Sequence, residues 1–276
     1  MGLPLIFKRD NPGCPCCGLR LIGDGDGDGD GDYGDDANSV CACYPFDDHA
    51  NNVVFDGLHL TTTANVISYD AGILANASKH TGSEHHEHAH HVCYTPSAGD
   101  GLRIWFWIKM VTLPGEVSSF QGVVTKGRLD VGPPMIFSGE WGIFLRTNGA
   151  YDQTADLSFV LKTSTVALHI PHSVHIKTGI WYFVHWDLNT STALSDLTIY
   201  NADTDAEFGG AAVGIVGEFV ADPAESMRVG NNTDGDILGA NYGEFLIDNL
   251  GFTHGASAAA TLYNSGYGVA CPASGG

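Results

Sequence analysis

Residues 102–110 read Leu-Arg-Ile-Trp-Phe-Trp-Ile-Lys-Met, a run that places bulky apolar side chains on both faces of an extended strand. A strand that is apolar on both faces is typical of the centre of a sheet covered by a second sheet. Large aromatic side chains dominate protein cores. We therefore expect the aromatic residues of this strand to be core residues, and the same holds for Trp181 and Trp186.

Short apolar or alternating runs, separated by Gly, Asn, Asp, Pro and Ser, fill the chain from residue 52 onward. This rhythm predicts strands joined by turns. Only an Ala-rich stretch near 256–263 shows a weak helical period. The predicted strands are 52–60, 102–111, 122–126, 141–147, 157–162, 181–187, 196–201, 227–230 and 244–253. The predicted fold class is all-β, with two sheets packed as a sandwich.

Several short motifs follow one another in this region. They are Val54-Phe-Asp-Gly-Leu58, the strand 102–109, Val123-Val-Thr-Lys-Gly127, Gly179-Ile-Trp-Tyr-Phe-Val-His-Trp186, Leu197-Thr-Ile-Tyr200, Met227-Arg-Val-Gly230, Gly243-Glu-Phe-Leu-Ile-Asp248 and Leu262-Tyr-Asn-Ser-Gly266. Their order resembles the laminin G-like, concanavalin A-like lectin/glucanase superfamily over about residues 52–268. The resemblance implies an antiparallel jelly-roll sandwich, with Asp248 as a structural aspartate. It leaves function open, because this fold carries lectins, adhesion modules, glycosidases and structural domains.

The carboxylates of the sandwich argue against a glycosidase. Retaining hydrolysis needs two carboxylates about 5 Å apart, and the Glu-x-Asp-x-x-Glu pattern of that branch is absent. Glu244 and Asp248 share a strand face but lie four residues apart, which is roughly 13 Å along a strand. No Gly-x-Ser-x-Gly or phosphate loop occurs either, and no dinucleotide fingerprint follows a predicted strand. We therefore predict a protein that is not an enzyme and has no catalytic residues.

Residues 23–36 alternate Gly and Asp and hold seven carboxylates in fourteen residues. With Asp24 in the first position, the spacing matches an oxygen-ligand calcium loop that has Gly29 at its sharp turn. The predicted calcium ligands are Asp24, Asp26, Asp28, Asp30, Asp32 and Asp35. The alternative interpretation is an unliganded acidic linker, extended by its own repulsion.

Cysteines cluster around this run, and five of the seven fall in the first 43 residues. The full set is Cys14, Cys16, Cys17, Cys41, Cys43, Cys93 and Cys271. We favour disulfides over a zinc or iron–sulfur centre, because disulfides would stabilise a segment that is too small and too polar to fold on a core of its own; thiolate ligation stays open. Cys93 and Cys271 are candidates to tie distant parts of the sandwich together. We accordingly divide the chain into a Cys-rich N-terminal extension, residues 1–51, and a sandwich, residues 52–276.

A His-rich insertion, within residues 76–97, has no counterpart in the family pattern. Alternate residues of an extended chain share a face, so either face of this segment offers imidazoles to zinc, copper or nickel. The candidate transition-metal ligands are His85, His86, His88, His90 and His91. The alternative is a polar loop with solvated histidines.

The net charge of −20, from 12 basic and 32 acidic residues, argues against a nucleic-acid partner and suits divalent cations. We find no secretory signal and no membrane span in the sequence. The expectation is a non-enzymatic extracellular or virion-surface protein that assembles with copies of itself into a filament or particle and binds calcium through the Gly-Asp run. The alternative is a calcium-dependent carbohydrate-binding adhesin or receptor-binding module, and a glycoside hydrolase ranks third.

Overall fold

In the computed structural model, two antiparallel sheets pack face to face as a jelly-roll sandwich, which confirms the predicted fold class. The structure describes residues 40–47, 50–51, 58–63, 67–81, 84–96, 99, 101–114, 120–130, 136–147, 154–166, 168–230, 243–254 and 262–266. The strands are β1 (Val40–Tyr44), β2 (Thr61–Thr63), β3 (Ser68–Ala71), β4 (Asn76–His80), β5 (His85–His88), β6 (Leu102–Met110), β7 (Phe120–Asp130), β8 (Ile136–Thr147), β9 (Thr154–Leu161), β10 (His169–Lys177), β11 (Trp181–Asn189), β12 (Leu194–Asn201), β13 (Ala206–Gly214), β14 (Met227–Gly230) and β15 (Phe245–Thr253). Short 3-10 turns occur at Val92–Tyr94 and Asn264–Gly266.

The first sheet has the strand order β13-β12-β11-β6-β15-β4-β3, and β1 pairs with β15. The second sheet has the order β10-β9-β8-β7-β14-β5-β2. In the first sheet β6 lies between β11 and β15, two strands that come much later in the chain. The strand predicted to be central is therefore central, with a neighbour on each side.

The core between the sheets consists of apolar side chains that alternate along each strand. Ile104, Phe106 and Ile108 of β6 point into it and are fully buried. On the other face of β6, Trp105 and Trp107 are covered by a second apolar cluster that includes Tyr200 and Tyr263. The two other predicted core aromatics differ in burial. Trp186 is fully buried against Trp141, whereas Trp181 is half-buried.

Strand β1 shows that the sandwich begins before residue 52, where the sequence placed its boundary. Val40 pairs with Thr253 and Tyr44 with Leu250 on β15. Tyr44 is fully buried and its hydroxyl donates to the carbonyl of Leu58 at 2.7 Å. The sequence did not indicate this strand, because its surroundings are rich in Cys, Asp and Asn rather than in apolar residues. Of the rest of the extension, the structure describes residues 45–47 and 50–51, in which Phe46 and Ala50 are buried.

The predicted boundaries of most apolar strands are close to those observed, but the polar strands were missed. Strands β4 and β5 arise from the His-rich insertion, where a loop was the alternative interpretation, and they lie in different sheets. The strand predicted at 52–60 is not one over 58–60, and 52–57 lies outside the described residues. Across the described part of the chain, no helix has the length and apolar character needed to cross a membrane.

Candidate functional site

A cleft of about 450 Å³ opens at one end of the sandwich, where three connections between strands meet. It is lined by Pro96, Gly99, Thr190, Ala193, Ile215, Gly217, Glu218 and Phe219. These residues come from the segment before β6, from the β11–β12 hairpin and from the start of the loop between β13 and β14, residues 215–226. Loops at the end of a rigid sandwich are a usual place for a binding site.

Hydrogen bonds to the segment after β9 hold the start of loop 215–226 in place. The hydroxyls of Thr163 and Thr165 both donate to the carbonyl of Val216, at 2.6 and 3.1 Å. The amide of Ser164 donates to the carbonyl of Glu218 at 2.9 Å, and the Glu218 amide donates to Ser164 Oγ at 3.1 Å. This wall of the cleft is therefore formed before any ligand binds.

A buried ion pair fixes the far half of the same loop. Lys126 Nζ donates to Glu140 Oε1 at 2.7 Å and to the carbonyl of Asp222 at 3.0 Å, and the Asp222 amide donates to Glu140 Oε1 at 2.7 Å. Lys126 is fully buried and Glu140 is 1% exposed. Removing one member of such a pair costs about 3–5 kcal/mol, because the other charge stays buried and unpaired. The pair therefore ties the loop to the second sheet.

The opposite wall is the β11–β12 hairpin, whose turn is closed by Asn189. Its Oδ1 accepts from the amides of Ser191 and Thr192 at 3.1 and 3.0 Å, as Asx turns do. Ala193 then takes a left-handed conformation, with φ of 52°, and its carbonyl accepts from the Ile215 amide at 2.7 Å. This last bond links the two walls to each other.

The lining of the cleft combines apolar and polar groups. Pro96, Ile215 and Phe219 are apolar lining residues, while Thr190 and Glu218 are polar ones. The Thr190 hydroxyl accepts a hydrogen bond from the Gly99 amide at 3.0 Å. Phe219 is half-buried and Glu218 is exposed, so both are within reach of a ligand. A ligand with an apolar face and a hydroxylated rim matches such a lining.

The histidines of the insertion do not form a single cluster. His86 is fully buried between the sheets, where its Nε2 shares a hydrogen bond with Ser78 Oγ at 3.0 Å and its Nδ1 one with Thr62 Oγ1 at 3.2 Å. Ser78 Oγ also contacts Nε2 of His80 at 3.0 Å. Both nitrogens of His86 are thus engaged within the protein, and burial is the main cause that lowers its pKa to about 3.

The remaining insertion histidines are nearer the surface. His91 Nδ1 accepts from the Cys93 amide at 3.2 Å, and His88 Nδ1 lies 2.7 Å from the carbonyl of Ala89. His85 contacts Glu87 at 3.7 Å, and burial lowers the pKa of His90. Over the part of the chain that the structure describes, no three His, Cys, Asp or Glu side chains come together as a metal site. Transition-metal binding by these histidines stays a prediction.

The cysteines and aspartates of the extension are described only in part. Cys41 and Cys93 form a disulfide with a Cα–Cα distance of 5.4 Å, so Cys93 joins parts of the chain that are 52 residues apart. Cys43 is disulfide-bonded as well. The other cysteines, Cys14, Cys16, Cys17 and Cys271, and the predicted calcium ligands, Asp24, Asp26, Asp28, Asp30, Asp32 and Asp35, lie outside the described residues.

Asp248 accepts hydrogen bonds from the backbone of the segment that joins β3 to β4. It is fully buried, and its Oδ2 accepts from the amides of Ile73 and Leu74 at 2.8 and 3.3 Å. Burial is the main cause that raises its pKa to about 7. Glu244 instead pairs with Lys79 at 2.5 Å. These two acids therefore serve separate contacts.

The sequence did not single out the residues of the cleft. Ile215, Glu218 and Phe219 belong to a region with no strong alternation, and only the pairing of loop 215–226 with the segment after β9 brings them to the cleft. A usable signal was the Asn-Thr-Ser run at 189–191, which is typical of an Asx turn.

No family model and no curated protein matches the chain. Solved structures of similar fold include a botulinum neurotoxin type C structure, with 12% identity, a TM-score of 0.52, and coverage of 81% of this chain and 49% of that one. The ligand-binding domain of botulinum neurotoxin serotype D in complex with N-acetylneuraminic acid has 12% identity, a TM-score of 0.49, and coverage of 82% and 50%. The chain thus spans about half the length of these proteins, and the similarity to the type C structure concerns the fold alone.

Proposed function

We propose that the protein is a non-enzymatic carbohydrate-binding module that takes a sugar ring in the cleft at the end of its sandwich. The observation that carries this proposal is the preformed cleft itself, in which Phe219 lies beside Glu218 and Thr190. A sugar ring has an apolar C–H face and a rim of hydroxyls, so it needs an aromatic or aliphatic surface next to polar groups. The rigid walls reduce the entropy lost when the ligand binds.

The similarity of fold supports the same class of ligand. For botulinum neurotoxin type C, cell entry depends on interaction with two ganglioside molecules. At 12% identity no binding residue transfers, so the argument for this chain rests on its own cleft. The laminin G-like, concanavalin A-like assignment made from the sequence motifs belongs to the same proposal, and so does an extracellular or virion-surface location.

The test is a glycan array probed with the full chain, with calcium and after chelation. Phe219→Ala should weaken binding to the best glycan by about tenfold, which corresponds to about 1.4 kcal/mol. Val111→Ala is a matched control, because Val111 is 37% exposed and follows the end of β6 that lies away from the cleft. Absence of binding to every glycan under both conditions would refute the proposal.

A second candidate function, self-assembly, is favoured by the edge strand β13. Among the described residues it pairs with β12 alone, and most of its residues are exposed. No charged residue occurs between Glu207 and Glu218. Unpaired edges of this kind accept a strand from another molecule unless charge or proline protects them.

Assembly through β13 is tested by Val213→Lys, which puts a charge in the middle of the uncharged edge. Electron microscopy and sedimentation of the full chain should then show smaller assemblies than the unmodified protein gives. The Gly-Asp run is proposed as a calcium-dependent joint of the same assembly. Chelation should dissolve the particles if it is one, whereas a monomer with and without calcium would exclude this second function.

A further inference from the structure

The charge of the cleft restricts the sugars that it can take. Glu218 is the charged group among its described lining residues, and it is exposed. No lysine or arginine is among these lining residues. A bound carboxylate or sulfate would therefore meet a negative charge without a cation to balance it.

Lys126, a cation that contacts loop 215–226, is already engaged. Lys126 underlies loop 215–226, but it is fully buried, and its three hydrogen bonds go to Glu140 Oε1 and to the carbonyls of Asp222 and Glu225. Lys162 is next to Thr163 in the chain but is not part of the lining. Neither side chain offers a cation to a ligand in the cleft.

The surroundings add to the negative potential. Loop 215–226 also carries Asp222 and Glu225, and the chain as a whole has a net charge of −20. A cleft lined by one sign of charge, in a protein of the same sign, lowers the local concentration of like-charged ligands. Acidic sugars are thus disfavoured both during encounter and in the bound state.

The same carboxylate is well suited to an uncharged ring. An ionised carboxylate has two oxygens that only accept hydrogen bonds, so it can accept from two neighbouring sugar hydroxyls at once. The apolar surface of Phe219 lies next to it along the chain and also lines the cleft. One ring can therefore place two hydroxyls on Glu218 while its C–H face lies against Phe219.

We infer that the cleft binds a neutral sugar ring through two adjacent hydroxyls on Glu218 and Phe219, and that it excludes sialic acids and uronic acids. This inference rests on the proposed carbohydrate-binding function. It also implies that the cleft does not bind gangliosides, because gangliosides carry sialic acid carboxylates.

The experiment uses the full chain on an array that prints each neutral glycan beside its sialylated or uronic acid counterpart. We expect the strongest signals from neutral members and at least tenfold weaker signals from their acidic partners. Sialidase treatment of the array should not reduce binding. Preference for the acidic member of a pair, or loss of signal after sialidase, would overturn the inference while leaving carbohydrate binding itself intact.

Two variants identify the residue responsible. Glu218→Lys should weaken binding to the neutral glycan by about tenfold and narrow the gap between the neutral and acidic members of a pair. Asp203→Lys makes the same charge change at an exposed residue of the β12–β13 connection that does not line the cleft, so it should leave that gap within about twofold. An equal effect of both variants would overturn the role of Glu218, and no signal from any glycan would instead refute the proposed function.

Discussion

The buried histidine pair predicts a steep loss of stability in acid. His80 on β4 and His86 on β5 lie in different sheets, and Ser78 Oγ joins their Nε2 atoms at 3.0 Å each. Each ring stacks on a phenylalanine, His80 on Phe245 and His86 on Phe46. Both rings are fully buried, so protonation would place a charge in the core.

The sign of the effect follows from the lowered pKa values. Burial is the first cause of a folded-state pKa of about 4 for His80 and about 3 for His86, while the neighbouring His85 lowers both further. In the unfolded chain a histidine titrates near 6.5. As the pH falls below 6.5 the unfolded state binds protons that the folded state does not bind, so the free energy of unfolding decreases.

The magnitude can be worked out at pH 5, where both rings are still neutral in the folded protein. The difference of about 1.5 pH units from 6.5 is worth about 2 kcal/mol for each histidine, at about 1.36 kcal/mol per unit. The pair should thus remove about 4 kcal/mol between pH 7.5 and pH 5. This is a large part of the roughly 5–15 kcal/mol that stabilises a typical domain.

The assay is urea unfolding followed by tryptophan fluorescence at half-unit steps from pH 7.5 to pH 5. His86→Gln keeps a neutral hydrogen-bonding side chain, and the slope of its free energy of unfolding against pH below 6.5 should be lower by about 1.4 kcal/mol per unit. His175→Gln is the control, since the His175 side chain is 68% exposed. If His86→Gln and the unmodified protein lose stability with the same slope, the reasoning is wrong.

Three further predictions concern other parts of the fold. Burial raises the pKa of Asp248 to about 7 from its usual 3.8, so the stability that the protonated side chain contributes is lost as the pH rises. Between pH 5 and pH 8.5, Asp248→Asn should therefore gain about 3 kcal/mol of unfolding free energy relative to the unmodified protein. A difference between the two proteins that stays the same at both pH values in urea titrations would contradict this. The double variant Cys41→Ala with Cys93→Ala opens a loop with a sequence separation of 52 and should lose about 4 kcal/mol relative to the oxidised parent protein in thermal unfolding, whereas the reduced parent should unfold at nearly the same temperature as the variant. A chain that starts at residue 39 should fold because it keeps β1, whereas one that starts at 52 should show a lower melting temperature by circular dichroism; equal melting temperatures would show that β1 contributes nothing.

The strands that the sequence predicted are those in which the sequence itself shows an apolar pattern, and their apolar side chains are buried. β6, β11 and β15 carry dense apolar alternation, and their observed bounds differ from the predicted ones by one or two residues. β5 is rich in histidine and is held by pairing with β14, a strand that lies far away in sequence. A local pattern contains no information on such partners.

The sequence did not predict the cleft, for a related reason. Thr163 and Val216 are 53 residues apart, and the hydrogen bond between them is one of those that hold loop 215–226 in place. The residues that attracted attention in the sequence, the repeated aspartates and histidines, stand out by composition alone. Composition shows which side chains could bind a ligand. A binding site also requires that such side chains lie close together, and only the folded chain brings them together.

The position of β6 in the first sheet has a consequence for biosynthesis. Its two neighbours, β11 and β15, end at Asn189 and Thr253, so the second one emerges roughly 140 residues after Met110. At translation rates of about 5–20 residues per second, β15 is completed about 7–30 s after β6, and the first sheet cannot form fully before then. During that time the apolar faces and unpaired backbone of β6 are open to other nascent chains. Efficient production in the cell should therefore depend on chaperones that bind extended apolar segments.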